Sequence, residues 1–256
     1  NMIFEKSAVA VVSGGSSGLG AATARKLTSM GACVAIFDLN IADGEALAQE
    51  LGGVFQCVDV ANSASVAAGF TAVVAAIGRP RIMINCAGIA PAMKTVSRGA
   101  PHDAAAFAKT IQINLIGSFN CSSQAACLMA AGDPCGPDSA RGVIVNTASV
   151  AAYDGQIGQV AYSASKGGIV GMTLPMARDL ADKGIRVCAV APGIFATPMV
   201  QGMPQEVQDA LGAQVPFPCR LGAASEYADL VGHIVDNQML NGEVIRLDGA
   251  IRMAPR

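Results

Sequence analysis

The sequence predicts an α/β architecture, a parallel sheet with helices on both faces, and three observations carry that expectation. Short β-rich runs alternate with longer helical patterns from one end to the other, which calls for parallel strands joined by right-handed helical crossovers. The β-rich runs are apolar throughout rather than alternating, as strands buried on both faces must be. Of the 256 residues, 52% are hydrophobic and only 14% charged, with 29 glycines. That composition suits a large core with many tight turns and excludes a disordered chain.

Taken in order, the strands are expected at 8–12 (AVAVV), 33–37 (CVAIF), 54–58 (VFQCV), 82–85 (IMIN), 143–147 (VIVNT), 186–191 (RVCAVA) and 243–247 (EVIRL). The helices between them are expected at 19–30, 42–51, 63–77, 103–130, 161–183 and 225–236. No shift in composition marks a second domain and no internal repeat occurs, so 1–256 reads as a single domain with a seven-stranded sheet. Three segments break the rhythm: 90–101 and 132–142, rich in Gly, Pro and polar residues, and 197–220, with four prolines around a helix-like piece. Loops this long in a compact domain usually serve function. The first and third leave the carboxyl ends of strands, where doubly wound sheets bind ligands. The second precedes the 143–147 strand and belongs to the opposite edge.

Several function classes fall away. The net charge is −2 and no basic run occurs, so a nucleic-acid groove has no electrostatic footprint. No stretch approaches 18 uninterrupted apolar residues, so no membrane span is expected. Residues 1–7 contain Glu5 and Lys6 and have neither a signal-peptide core nor an Arg-rich transit helix, so a cytoplasmic protein is expected. The eight cysteines form no C-x-x-C pair and there are two histidines, His102 and His233. No metal site is expected, and the cysteines read as free thiols in a reducing compartment.

After the first strand comes Ser13-Gly14-Gly15-Ser16-Ser17-Gly18-Leu19-Gly20. A glycine turn between strand and helix lets the backbone approach a pyrophosphate and aims helix N–H groups at it. Asp38 ends the second strand, about 18 residues past Gly20, where a carboxylate receives the ribose hydroxyls of NAD. It would repel a 2′-phosphate, and Leu39 and Asn40 supply no Arg to hold one. Its other reading is a cap for the following helix. Asp59 takes a similar place after the third strand, and Cys86, Ala87 and Gly88 after the fourth leave room for adenosine or ribose. Gly14-x-Ser16-x-Gly18 also matches the nucleophile elbow of serine hydrolases, with His102 and His233 as potential partners. That reading puts the elbow on the first strand, without an upstream oxyanion loop, and leaves the next motif unexplained.

That motif is Tyr162-Ser163-Ala164-Ser165-Lys166, with Ser149 thirteen residues before the Tyr. Positions i and i+4 share a helix face, so Tyr162 and Lys166 point the same way. A free phenol titrates near pH ~10. A neighbouring ammonium favours the phenolate, which then takes the proton of a secondary alcohol while hydride leaves for the cofactor. Ser149, at the mouth of the fifth strand, is expected to hold the substrate oxygen. Asn114, among apolar neighbours in the 103–130 helix, must find buried partners; a kink satisfied by water and a water relay to Lys166 are both open. Pro192, Gly193, Phe195 and Thr197 follow the sixth strand, where backbone and the Thr197 hydroxyl are expected to clamp a nicotinamide amide.

Together these residues resemble the short-chain dehydrogenase/reductase family over essentially the whole chain. GVIVNTASVAAYDGQIGQVAYSASKGGIVGMTLPMARD (142–179), QVPFPCRLG (214–222) and NGEVIRLDGAIRM (241–253) are similar to a subgroup that acts on 3-hydroxyacyl-CoA. The resemblance implies a Rossmann-type doubly wound fold and a catalytic set of Asn114, Ser149, Tyr162 and Lys166. It implies NAD contacts at Ser17, Leu19, Asp38, Asp59, Val60, Cys86, Tyr162, Lys166 and Phe195, and a homotetramer packed through the long helices around Asn114 and Tyr162. Ser16 is added as a cofactor position, and Gln156 joins Ser149 and Tyr162 on the substrate side. Ser13 stands where many relatives have Thr, and Cys86 where Asn is common; neither removes a group the chemistry needs. The expected reaction interconverts a 3-hydroxyacyl-CoA and a 3-oxoacyl-CoA with NAD, a step of fatty acid metabolism. Its rivals are a hydroxysteroid or other secondary-alcohol dehydrogenase and a catalytically silent NAD-binding scaffold. The segment 197–220 is expected to be a substrate lid: its apolar residues, from Met199, Val200 and Met203 to Val207 and Leu211, recur every three to four positions, suggesting a one-faced helix.

Overall fold

The apolar runs form one sheet in the computed structural model, which describes residues 7–255; the expectation for residues 1–6 lies outside them. The strands are β1 (Val9–Ser13), β2 (Cys33–Asp38), β3 (Val54–Cys57), β4 (Pro80–Asn85), β5 (Val96–Ser97), β6 (Ala100–Pro101), β7 (Gly142–Thr147), β8 (Ile185–Pro192) and β9 (Val244–Leu247). Seven of them are ordered β3-β2-β1-β4-β7-β8-β9, and every neighbouring pair is parallel. The connected helices are α1 (Gly18–Ser29), α2 (Ile41–Leu51), α3 (Ser63–Ile77), α4 (Ala104–Ile111), α5 (Gly117–Ala130), α6 (Val160–Asp179), α7 (Pro198–Gln201), α8 (Gln205–Gly212) and α9 (Ala224–Asp236). Short polar side chains start several of them by accepting orphan N–H groups: Asn40 from Asp43, Asn62 from Ala64 and Ser65, and Asp103 from Ala105.

The apolar strands separate two cores, one on each face, because successive side chains point oppositely. Ala10, Val12, Ile36, Ile82, Ile84, Val143 and Val145 pack with Leu27 of α1 and with Tyr227 and Val231 of α9. Val11, Phe37, Met83 and Ile144 pack with Phe70 of α3 and with Cys121 and Ala125 of α5. Phe37 and Phe70 meet edge to face at 5.1 Å between ring centroids. From β1 the chain winds outward through β2 to β3, then returns to place β4 on the other side of β1. This reversal opens a crevice at the carboxyl ends of β1 and β4. Among the described residues, no helix is long and apolar enough to cross a membrane.

Three expectations are corrected. The 103–130 helix is not continuous: a π turn at Gln112–Ile116 separates α4 from α5. The 90–101 segment is not wholly irregular, because β5 and β6 pair as an antiparallel ribbon. Arg98 and Gly99, both at positive φ, make the tight connection, as a two-residue turn of that hand requires. The 197–220 segment holds two helices rather than one. Pro204 disfavours helical geometry at the residue before it, so α7 and α8 are separate, with Met203 and Val207 facing outward at 38% and 42% exposure.

Candidate active site

The crevice opens into a cavity of about 680 Å³ that runs from Asp38 and Asp59 at one end to Ser149, Gln156 and Tyr162 at the other. At the first end, β1 turns into α1 through glycines whose missing side chains are a geometric necessity. Gly14 has φ +63°, and a Cβ there would stand 2.6 Å from the Ala87 nitrogen. A Cβ at Gly20 would collide with the carbonyl oxygen of Gly14. These absences bring backbone to the cavity surface, leaving a cradle that fits a dinucleotide. Ser17, Gly18 and Leu19 line the cradle, and Val60, Cys86, Ala87 and Gly88 face it from β3 and β4.

Asp38 closes this end. One carboxylate oxygen accepts from the Ser16 N–H (3.1 Å) and hydroxyl (2.6 Å), and the other accepts from the Asn40 N–H (3.0 Å). Asn40, not Asp38, caps α2. Ser16 therefore supports the carboxylate from behind; it is not among the cavity-lining residues. With its hydroxyl on Asp38, Ser16 has no histidine partner: His102 lies at the Asp103 carbonyl and His233 beside Asn237. The nucleophile-elbow reading is thereby dropped.

At the other end, β7 delivers Thr147 and Ser149, and α6 delivers Tyr162 and Lys166. Ser149 starts a short 3₁₀ turn, its hydroxyl accepting from the Ala151 N–H at 3.1 Å. Burial pushes the Tyr162 phenol above its ordinary range, and a hydrogen bond with Ser149 pulls it part of the way back. Lys166 is 5% exposed. Its Nζ lies 5.7 Å from the centre of the Tyr162 ring and donates to the Thr147 carbonyl at 2.6 Å. Desolvation pulls its ammonium down to about 8, since a buried charge is costly.

Asn114, fully buried, sits in the π turn. Its side-chain amide is held by protein groups: Oδ1 accepts from the Ile89 N–H (2.8 Å), while Nδ2 donates to the Ile89 carbonyl (2.8 Å) and the Ser165 hydroxyl (3.0 Å). It does not line the cavity but stands behind Gly88, whose missing side chain leaves a gap between Asn114 and Lys166. Pro192, the last residue of β8, and Gly193, Phe195 and Thr197 beyond it all line the cavity. Gly193 is fixed by its N–H bond to Leu247 (2.9 Å), and Phe195 by a bridge to Gly222.

Sequence reasoning missed a supporting layer beneath Lys166. The Thr147 hydroxyl donates to the Asn85 carbonyl at 2.5 Å, so the buried Tyr227 hydroxyl, 2.7 Å away, donates to Thr147. This fixes the strand end whose carbonyl holds the ammonium. It also missed Met253, which lines the substrate end. The one available signal for Thr147 was its position two residues before Ser149 at a strand end.

A family model described as short chain dehydrogenase matches residues 8–208. The 3-hydroxyacyl-CoA dehydrogenase type-2 of Drosophila melanogaster is 51% identical over 254 residues, covering 98% of this chain and 99% of that protein. Its Homo sapiens counterpart is also 51% identical, covering 98% and 97%. A crystal structure of 3-hydroxyacyl-CoA dehydrogenase type-2 from Mycobacterium avium superposes with a TM-score of 0.93 at 42% identity, over 99% of this chain and 98% of that one.

Proposed function

The chain belongs to the short-chain dehydrogenase family, and from that premise we propose that it reversibly oxidises a 3-hydroxyacyl-CoA to the 3-oxoacyl-CoA with NAD. The observation that carries this is the grouping of Ser149, Tyr162 and Lys166 at one end of a cavity whose other end is the Asp38 carboxylate. The substrate class is supported by relatives of that name at about half identity over nearly the whole chain.

NAD supplies the hydride acceptor when bound. The glycine turn, Asp38, Asp59, Val60 and the Cys86–Gly88 segment would hold its adenosine side, and Pro192, Gly193, Phe195 and Thr197 its nicotinamide side. Ser149 orients the substrate hydroxyl, with Gln156 beside it. Tyr162 is the base that takes the hydroxyl proton, and Lys166 favours the phenolate by its charge. Asn114 is a positioning residue that holds the Ile89 backbone behind Gly88. The assay is NADH appearance with a panel of 3-hydroxyacyl-CoA thioesters and hydroxysteroids as contrast; thioesters ignored while a steroid turns over would overturn the substrate class.

A pH dependence follows with a definite sign. Oxidation requires the Tyr162 phenol to have lost its proton, so its kcat/KM rises with pH, while reduction, which needs the phenol protonated, falls over the same range. Ser149 holds the Tyr162 pKa down, so the residual activity of Ser149→Ala should show its midpoint at higher pH. A midpoint that stays or falls would separate Ser149 from the tyrosine.

The segment 197–220 acts in this proposal as the lid, with Val200 and Leu211 turned to the cavity. Amide hydrogen exchange over 197–215 is expected to slow when NAD and acyl-CoA are both present; equally slow exchange with and without them makes it a fixed wall. A homotetramer is supported by exposed apolar side chains on the long helices, Ile116, Phe119, Val160 and Leu174. A reducing setting is supported by eight thiols that are all free.

A further inference from the structure

Residues 248–255 follow β9, the edge strand of the sheet, and bring Met253 to the cavity. Met253 lines the cavity together with Gln156, Gln159 and Tyr162, while Val200 and Leu211 line it from α7 and α8. Which end Met253 occupies is fixed by its neighbour: the Gln156 Nε2 donates to the Ala254 carbonyl at 3.0 Å, and the Ile157 N–H donates to the Pro255 carbonyl at 3.0 Å. Gln156 and Ile157 belong to the loop that joins Ser149 to Tyr162. Met253 therefore stands at the reacting end, far from Asp38.

The segment is braced. Arg246 on β9 donates through Nε to Asp248 (2.7 Å) and through one terminal nitrogen to Asp154 (2.7 Å) and the Ile251 carbonyl (3.0 Å). Its guanidinium stacks over Tyr153 at 5.3 Å, and Arg252 adds a second bond to Asp248 at 3.2 Å. Asp248 is pressed against the turn after β8, since a Cβ on Gly193 would stand 2.9 Å from its Cα. Ile251 is 2% exposed and pins the middle of the segment. One guanidinium thus ties the segment, the Asp154 loop and the strand edge into a single strut.

We infer that Met253 is a specificity-determining residue that closes the acyl side of the cavity, and that Arg246 is a positioning residue that holds it there. This rests on the 3-hydroxyacyl-CoA reading. An unbranched thioether between a fixed strut and the α7–α8 wall limits how far an acyl chain extends, and one methylene in an apolar pocket discriminates by roughly ten- to two-hundredfold.

The test compares kcat/KM for short-, medium- and long-chain 3-hydroxyacyl-CoA thioesters. Met253→Ala is expected to raise the long-to-short ratio by about tenfold and Met253→Phe to lower it by about tenfold. Both changes should fall in the KM for thioester, with the Kd for NAD unchanged. Arg246→Met should raise the thioester KM for every chain length, and Arg246→Lys should restore part of the loss. An unchanged chain-length profile in both Met253 variants, while wild type turns the panel over, overturns the role of this segment alone. Wild type inactive on every thioester overturns the proposed function and this inference with it.

Discussion

Tyr162→Phe is expected to lose at least ~10²-fold in kcat while binding NAD as the wild type does. The ring stays, so the packing of α6 and the position of Lys166 over it are kept. What disappears is the only atom of that ring that can hold the alcohol proton. Lys166 does not replace it, because its Nζ is directed at the Thr147 carbonyl. Turnover with a saturating 3-hydroxyacyl-CoA, alongside a fluorescence titration of nucleotide binding, separates the two effects. Near-normal turnover would remove Tyr162 from the mechanism.

The second large effect is expected at Asp38. The wild type should bind NAD well and NADP poorly, because a 2′-phosphate would meet a carboxylate. In the double variant Asp38→Ala with Leu39→Arg, the ratio of Kd values should move toward NADP by roughly ten- to a hundredfold, the span of a charged hydrogen bond of about 1.5–3 kcal/mol. Leu39 is 65% exposed, so an Arg there has room. Asp38 also receives two bonds from Ser16, so the alanine loosens the glycine turn and weakens both cofactors. Asp38→Asn, which keeps the shape and loses the charge, isolates the repulsion. A wild type with equal affinity for the two nucleotides would refute the assignment.

The sheet was legible because burial on both faces leaves a compositional mark: a strand such as CVAIF has no polar face to show. The Tyr162–Lys166 pair was legible because both partners lie one helical turn apart. Other parts left no such mark. The contact of Tyr227 with Thr147 joins residues 80 apart, and what Lys166 needs from Thr147 is a main-chain carbonyl, a group that every residue carries. The burial of Asn114 was legible from its apolar neighbours, but its partners, the Ile89 backbone and the Ser165 hydroxyl, are not signalled by residue type or spacing. The three-to-four spacing in 197–220 persisted across Gly202 and Pro204 because spacing counts positions and ignores whether the helix can pass through them. The ribbon at 96–101 turns on Arg98-Gly99, which lacks the Asn or Asp that usually signals such a turn.

The strand order also governs when a working groove first exists. The glycine turn and Asp38 are complete within β1, α1 and β2, yet the opposite wall is β4, whose Asn85 meets Ser13 across 72 residues of chain. A growing or partly unfolded chain without β4 has half a groove, the glycine turn and Asp38 without the facing Cys86–Gly88 wall. Bound nucleotide is therefore a clamp on the middle of the sheet, adding about 2.7 kcal/mol of stability at a hundredfold excess over Kd. A variant of the β1–β4 seam that loses stability should therefore regain part of it when nucleotide is present.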